Sequence, residues 1–449
     1  MIDLTHIGDF SPSYYFFNLY LKQFHNRFYY RNVYVEGREN LVEKGKPVMI
    51  IANHQNGAND ALNILYMFDD HRQPVFIARG DIFKKDSVAK ILRYLKILPT
   101  FRSRDGGVSD VKFNMTSFHI AADILAKGGT VVIYPEAQHQ QGHYLGTFKK
   151  GFPRIAFTAE EEADFNLNLQ IQPINIHYSD YFNARTDVVL TIGKPFTFSE
   201  FFDTYKTDPN IAYQQLNAKA RARLKAITPD NELHEEFDDE IELLRTMWTT
   251  ARLEKKEICP NYFPYRQPEE VQTVQTIVDL KEKNPDKFAH LMQVTRAYLD
   301  ELTKLNFRDW IVGQDVTAWT VISNTLLGLI ALPFALFGFI TNILPFEFPA
   351  YLRRKIKDRH LHASFNLVGA IVSFTIYYPL VFIIIWIASK SFIRALSFIL
   401  LMFLTFFVFY GCKRGWPKLV AYWRYFKLSR AGATKNLENL KNEILNMVE

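Results

Sequence analysis

His54 and Asp60 bracket a short polar turn, "NHQNGAND", that follows the apolar run "KPVMIIA". An imidazole can take a proton from an alcohol near neutral pH. A carboxylate on its other ring nitrogen fixes the tautomer and stabilises the imidazolium that results. Such a pair is a general base with its orienting group; a histidine that merely closes a strand is the plainer reading of the same residue. Arg102 and Arg104, in "FRSRDGG", follow a second apolar run, and planar guanidinium donors suit bidentate binding of phosphate. "YPEAQHQQGH" brings Glu136, Ala137, His139 and His143, and "QPINIHY" is a fourth polar group in an apolar setting. There is no G-x-S-x-G elbow, and Cys259 in "EICPNY" is remote from the strand-end histidines, so an acyl-enzyme route lacks its nucleophile. A base at His54 would act on a hydroxyl of the substrate itself.

The elements that must position these groups alternate. "KPVMIIANH", "QPVFIARGD", "LPTF", "TVVIYPE", "NLQIQPINIHY" and "VVLTIGKPF" read as strands. Between them "ALNILYMFD", "SVAKILRYLKIL", "DVKFNMTSFHIAADILAKGG" and the stretch around "GTFKKGFPRIAFTAEEEA" read as helices. In "SVAKILRYLKIL" the residues Val88, Ile91, Leu92, Leu95 and Leu98 recur at three- and four-residue steps, as one helical face would. Alternation of this kind predicts an α/β domain, in which sites assemble at strand ends.

The four polar groups, in this order, resemble the motif blocks of the PlsC-like glycerophospholipid acyltransferases, a family that includes glycerol-3-phosphate and 1-acylglycerol-3-phosphate acyltransferases. The blocks stand here as Asn53, His54 and Asp60; Phe101 and Arg104; Tyr134, Pro135, Glu136, Ala137, Gln138 and His139; and Gln172, Pro173 and Ile174, within roughly residues 30–200. The resemblance implies an α/β acyltransferase domain with a mixed sheet and flanking helices. It implies an acyl-CoA or acyl carrier protein donor, a phosphorylated glycerol acceptor and no cofactor. By the same resemblance His54 and Asp60 are catalytic, while Arg102, Arg104, Glu136 and Ala137 bind the acceptor or its phosphate, with Asn53, Lys149 and Lys150 as secondary positions. Two departures matter. Five residues separate His54 from Asp60 where the family has four, which would select Asn59; an amide cannot balance an imidazolium, so Asp60 is the expected partner. The Gly, Thr and Arg of the third block are replaced by Ala137, Gln138 and His139, and Arg102, Lys149 or Lys150 would have to take over any phosphate contact of the missing arginine.

The rest of the chain is a different material. Aromatic residues make up 15% of the 449 residues and gather at the two ends. No charged side chain occurs between Asp315 and Glu347 or between His362 and Lys390, and a third apolar run extends from Ala395 to Cys412. A helix of about 20 apolar residues crosses a hydrocarbon core, so an integral membrane protein is expected. The N-terminus has Asp3 and Asp9 in place of a basic secretory signal, and only two cysteines occur, which suits a cytosolic, reducing setting for the catalytic domain. The formal charge of +6 is concentrated around the second polar group and in "RRKIKDRHLH".

These readings divide the chain into an amphipathic membrane-surface helix (1–35), the α/β acyltransferase domain (36–200) and a helical cover or connector (201–315). After them come a re-entrant or interfacial apolar hairpin (316–346), a basic cytosolic loop (347–364), a transmembrane helix pair (365–412) and a basic cytosolic tail (413–449). The hairpin follows from Pro333, Gly338, Asn342 and Pro345 interrupting the first run, and from the need to keep the basic loop on the cytosolic face; three simple spans is the competing arrangement. Residues 12–30 could equally pack on the domain itself. Two rival functions stand beside the acyltransferase. One is a metal-dependent hydrolase using Glu136, His139 and His143; the other is a membrane scaffold that binds lipid phosphate without transfer. No nucleic-acid recognition motif is present.

Overall fold

The structure, a computed structural model, describes residues 4, 6–100, 108–140, 142–356 and 361–448. It divides into two compact units, Met1–Glu236 with Lys256–Thr276, and Phe237–Lys255 with Ile277–Glu449.

The first unit is built on one sheet of seven strands: β1 (Asn32–Glu36), β2 (Val48–Ala52), β3 (Val75–Arg79), β4 (Ile97–Thr100), β5 (Thr130–Ile133), β6 (Gln170–Tyr178) and β7 (Asp187–Ile192). Their order is β1-β7-β6-β2-β5-β3-β4. Strands β2 to β6 are parallel wherever they pair, β7 runs against β6, and β1 follows β7. The sheet is mixed, and the C-terminal ends of β2, β4, β5 and β6 share one edge. That edge is where the polar groups of the sequence begin.

Both faces of β2 and β5 are covered, which is why "VMIIA" and "TVVI" are apolar without alternation. Met49, Ile51, Val131, Ile133 and Ile171 join a core that α4 (Val108–Ala126), α5 (Gly151–Glu162) and α7 (Pro209–Lys225) complete. Helix α7 turns Ala212, Leu216, Ala220 and Leu224 inward at four-residue steps. Helix α2 (Ala58–Met67) follows β2, and α1 (Pro12–Gln23) is started by the Ser11 side chain, which accepts from the Tyr14 amide. The periodic run 87–98 does not stay helical. Helix α3 covers Asp86–Tyr94, Lys96 turns at φ 58°, and Leu98 lies in β4.

A short helix α6 (Phe202–Thr207) leads into α7, and then come α8 (His234–Lys255), α9 (Phe263–Lys283) and α10 (Pro285–Leu305). The expected connector is thus shared between the units. Phe237 breaks α8 with non-helical angles, and the first half of α9 belongs with the sheet. There Gln267 accepts from Thr191 of β7 at 3.1 Å and donates to the Ile227 carbonyl at 2.6 Å.

Among the described residues the second unit holds three helices long and apolar enough to cross a membrane, α11 (Ala318–Arg354), α12 (His362–Ser389) and α13 (Phe392–Arg430), followed by α14 (Lys435–Asn446). Helix α11 contains Pro333, Pro345 and Pro349. A proline cannot donate to the carbonyl four residues back. Tyr377 donates instead to the Thr341 carbonyl and Ser373 to the Pro345 carbonyl, each at 2.9 Å, so α12 satisfies two groups that Pro345 and Pro349 leave free. Trp423 of α13 donates to Thr325 at 3.0 Å and Asn342 donates to the Met402 carbonyl at 3.2 Å, whereas Pro349 lies against Gly369 of α12. Helices α12 and α13 run antiparallel, with rings in contact at Phe374 and Phe406 and again at Phe382 and Phe392. Along α11 the α13 partner falls from Trp423 at Thr325 to Met402 at Asn342 and rises again to Phe406 and Tyr410 at Phe346, so the helix changes direction near Asn342. Where the sequence suggests a hairpin over 316–346, the chain forms one helix bent at its prolines.

Candidate active site at the sheet edge

Strand β2 ends in a latch. Asn53 donates to the Ile176 carbonyl at 2.9 Å and accepts from the Ile176 amide at 2.7 Å, continuing with a side chain the ladder to β6. His54 comes next, and the chain turns at Gly57, whose φ of 50° places it in the left-handed region, before α2 begins at Ala58. Asp60 therefore falls in the first helical turn, where a carboxylate is favoured by the helix dipole and can reach back to preceding amides. Its Oδ2 lies 2.8 Å from His54 Nδ1 and accepts the Gln55 and Asn56 amides at 2.9 and 2.7 Å. Its Oδ1 accepts the Tyr178 hydroxyl at 2.6 Å. Asp60 is fully buried, and these four donors satisfy the carboxylate. Asn59 points elsewhere, donating to Asn56 Oδ1 at 3.3 Å. The extra residue between His54 and the acid is taken up by the Gly57 turn.

The His54 ring retains 16% side-chain exposure. Tyr134, at the end of β5, stacks on it with centroids 3.9 Å apart and planes 13° apart, and the His139 ring sits 4.1 Å away. Gln140 donates its amide to the His54 carbonyl at 2.9 Å, tying the two strand-end loops together. Nδ1 is committed to Asp60, which leaves Nε2 as the other ring nitrogen.

Glu136 is 1% exposed, and its Oε2 accepts the Gly146 amide at 2.9 Å. Burial pushes its carboxyl up to about 7, against the hydrogen bond from Gly146, which lowers it. A Cβ on Gly146 would stand 2.8 Å from that oxygen, so only glycine lets the loop approach so closely. Ala137 has φ 55°, a left-handed conformation that a residue with a Cβ adopts at some expense. Lys149 and Lys150 are exposed at the start of α5, where Lys150 donates to Asn210 at 2.9 Å. Phe101, Arg102 and Arg104 lie outside the described residues; β4, which leads to them, ends at Thr100 on the same sheet edge. The three residues of the metal reading face different ways: Glu136 toward Gly146, His139 over His54, and His143 toward the Tyr181 hydroxyl at 3.0 Å. Among the described residues no three His, Cys, Asp or Glu side chains come together as metal ligands would.

Tyr178 and Tyr181 were not legible as site residues, and Tyr134 entered only as the first residue of the third block. Burial and the Asp60 charge push the Tyr178 phenol well above its usual range, which keeps it a donor. Tyr181 donates to Gln55 Oε1 at 3.0 Å, and Gln55 supplies one of the amides that hold Asp60. Tyr178 and Asp60 are 118 positions apart, and no spacing rule joins them. The available signal was positional, since Tyr178 ends the strand that carries the fourth polar group.

Residues 32–177, which include His54, Asp60 and Glu136, match the family model described as Acyltransferase. More particularly, the chain is distantly similar to lysophosphatidate acyltransferases. It is 25% identical over 122 residues to the chloroplastic 1-acyl-sn-glycerol-3-phosphate acyltransferase of Arabidopsis thaliana, a match that covers 27% of this chain and 32% of that protein. The match thus spans about a third of the curated relative's length. Among solved structures, the 1-acyl-sn-glycerophosphate (LPA) acyltransferase PlsC of Thermotoga maritima is similar at 19% identity with a TM-score of 0.33, over 47% of this chain and 80% of that one.

Proposed function

We propose that this protein transfers a fatty acyl group from acyl-CoA or acyl carrier protein to a hydroxyl of 1-acylglycerol-3-phosphate or glycerol-3-phosphate. His54 Nε2 removes the hydroxyl proton as the oxygen attacks the thioester carbonyl. The carbon–sulfur bond breaks, and the proton passes from the imidazolium to the departing thiolate. Asp60 holds the ring and balances its charge, and Tyr178 and the Gln55 and Asn56 amides hold Asp60. Arg102 and Arg104 grip the acceptor phosphate, and Glu136 sets the loop that brings Tyr134 and His139 against the base. No cofactor is required. The observation that carries this reading is the 2.8 Å contact of His54 with the buried Asp60 inside the acyltransferase match.

We further place the catalytic domain on the cytosolic face of an integral membrane protein. A bend in α11 lets its two ends share a face, while α12 and α13 form the crossing pair. The α/β domain, the basic segment 347–364 and the tail 413–449 then lie on one side, as the positive-inside bias favours. The surface aromatics of α1 rest on the bilayer, where a 1-acyl acceptor and the acylated product reside.

Purified full-length protein in detergent, given labelled acyl-CoA or acyl carrier protein with each acceptor in turn, should yield an acylated product identifiable by mass spectrometry. Bound acceptor without product would leave the scaffold. Loss of product on chelation would return the metal enzyme.

A further inference from the structure

Helix α3 is amphipathic in the wrong sense for a domain surface. Ala89 is its one buried residue, while Val88, Ile91 and Tyr94, three residues apart along one face, point outward, with Ile91 58% exposed. A surface helix of a globular domain turns such a stripe to the core. This stripe is not isolated. The Tyr94 ring packs against both Tyr14 and Phe17 of α1 with centroids 5.9 Å apart. Beyond that contact α1 shows Phe16 at 68% exposure, with Phe10 before it at 62%. The two helices present one continuous apolar surface, of a kind that soluble surfaces rarely carry.

The charges around it are mainly basic, with the exposed Asp9 beside Phe10 and Asp86 at the start of α3 as the acidic ones. Lys84, Lys85 and Lys90 are exposed beside the α3 stripe, against the single carboxylate of Asp86. From Pro12 to Tyr29 no acidic residue occurs, and Lys22 and Arg27 are the charged groups. His25 is buried, which pushes its ring down to about 4 and keeps it neutral. An apolar face edged with lysines is complementary to an anionic lipid surface, with the stripe at the acyl boundary and the lysines at the headgroups.

We propose that α3 is a second membrane-seated helix, which with α1 forms a face of the acyltransferase domain that docks on anionic phospholipid. The proposal extends the reading of this protein as an enzyme of lipidic acceptors, and adds a headgroup preference which that reading does not contain. The face belongs to the same unit as the site: Tyr30, just after α1 and the π-helical turn 24–29, has its ring 6.2 Å from that of Tyr178.

The test uses the full chain with Cys259→Ser and Cys412→Ser, reconstituted in vesicles of phosphatidylcholine alone or mixed with phosphatidylglycerol. Spin labels are placed at Ile91→Cys and, separately, at Lys90→Cys. Expected in the mixed vesicles is an Ile91 label open to oxygen and shielded from a water-soluble nickel chelate, while the Lys90 label stays open to the chelate. Neutralising the two by Lys84→Gln and Lys85→Gln should lower the ratio of immersed to exposed Ile91 label about fivefold per lysine. An Ile91 label as open to the chelate as the Lys90 label would overturn the proposal. So would shielding from both reagents in either vesicle, because protein would then cover the stripe. Accessibility does not read turnover. The labelled His54→Ala chain should give the same immersion, so failure of the acyltransfer reading and failure of the docking face are separate results.

Discussion

Two histidine–carboxylate pairs stand at neighbouring strands of this sheet, and they differ in what surrounds them. His54 follows β2, meets Asp60 at 2.8 Å and keeps part of its ring at the surface. His177, within β6, has Nε2 2.8 Å from Glu270 Oε2, but its side chain is 2% exposed and that of Glu270 1%. Phe263 stacks on the His177 ring at 5.1 Å, and Arg266 donates to the second oxygen of Glu270 at 2.7 Å. Residue types alone would give both pairs the same chemistry. Access separates them. Asp60 is held by donors that belong to the strand-end loops and contacts one of the two imidazole nitrogens of a part-exposed ring, whereas Glu270 already has a cation, Arg266, beside a His177 ring covered by Phe263, and ties the first half of α9 to the sheet.

The contrast can be broken by substitution. His54→Ala should lower turnover by on the order of 10² to 10⁴ with little change in thermal unfolding; retained turnover would remove the base. Glu270→Ala should do the reverse. It leaves Arg266 and His177 buried without their carboxylate, and we expect a loss of about 3 to 5 kcal/mol in unfolding free energy with near-normal turnover per folded molecule. A Glu270→Ala protein that stays stable and loses activity would place the second pair in the chemistry.

Glu136 gives a pH-dependent test. Its folded carboxyl titrates near 7 against an ordinary value of 4.5, so between those values the native state holds a proton that the unfolded chain has released. Stability from this group therefore falls as pH rises through that window and levels off above about 7. Glu136→Gln lacks the decline. Measured against wild type by unfolding in detergent, it should gain up to about 3 kcal/mol across the window; a difference independent of pH would show that Glu136 is ionised throughout. Tyr178→Phe removes one of the four donors to Asp60 and should lower kcat about tenfold while leaving KM in place, the scale of one hydrogen bond to a charge. A change in KM alone would move Tyr178 from positioning to binding. The smallest effect is a gain: Ala137→Gly relieves a left-handed alanine and should stabilise by about 0.5 to 1 kcal/mol in the same unfolding assay.

Much of the fold was legible because apolar patterning reports burial. "VMIIA" and "TVVI" are strands covered on both faces, and the run of α7 is a helix with one inward face. At Val88 and Ile91 the period marks a helix correctly, and the structure leaves both side chains exposed. Periodicity states that a face is apolar and does not state which medium covers it. The proline-rich run 316–346 was legible as an interruption, but the hydroxyls of Tyr377 and Ser373 that keep it helical lie in another helix.

The sequence by itself determined which groups can do chemistry and that each follows an apolar strand, because proton transfer, phosphate binding and strand burial depend on residue type and local spacing. Only the tertiary structure decided which of them meet. The parallel pairing of β2 with β5 and β6 sets Tyr134 and Tyr178 beside His54 and Asp60, and packing leaves one histidine open and closes the other. Those are distances across a hundred residues of chain, fixed by side-chain contacts that no local pattern encodes.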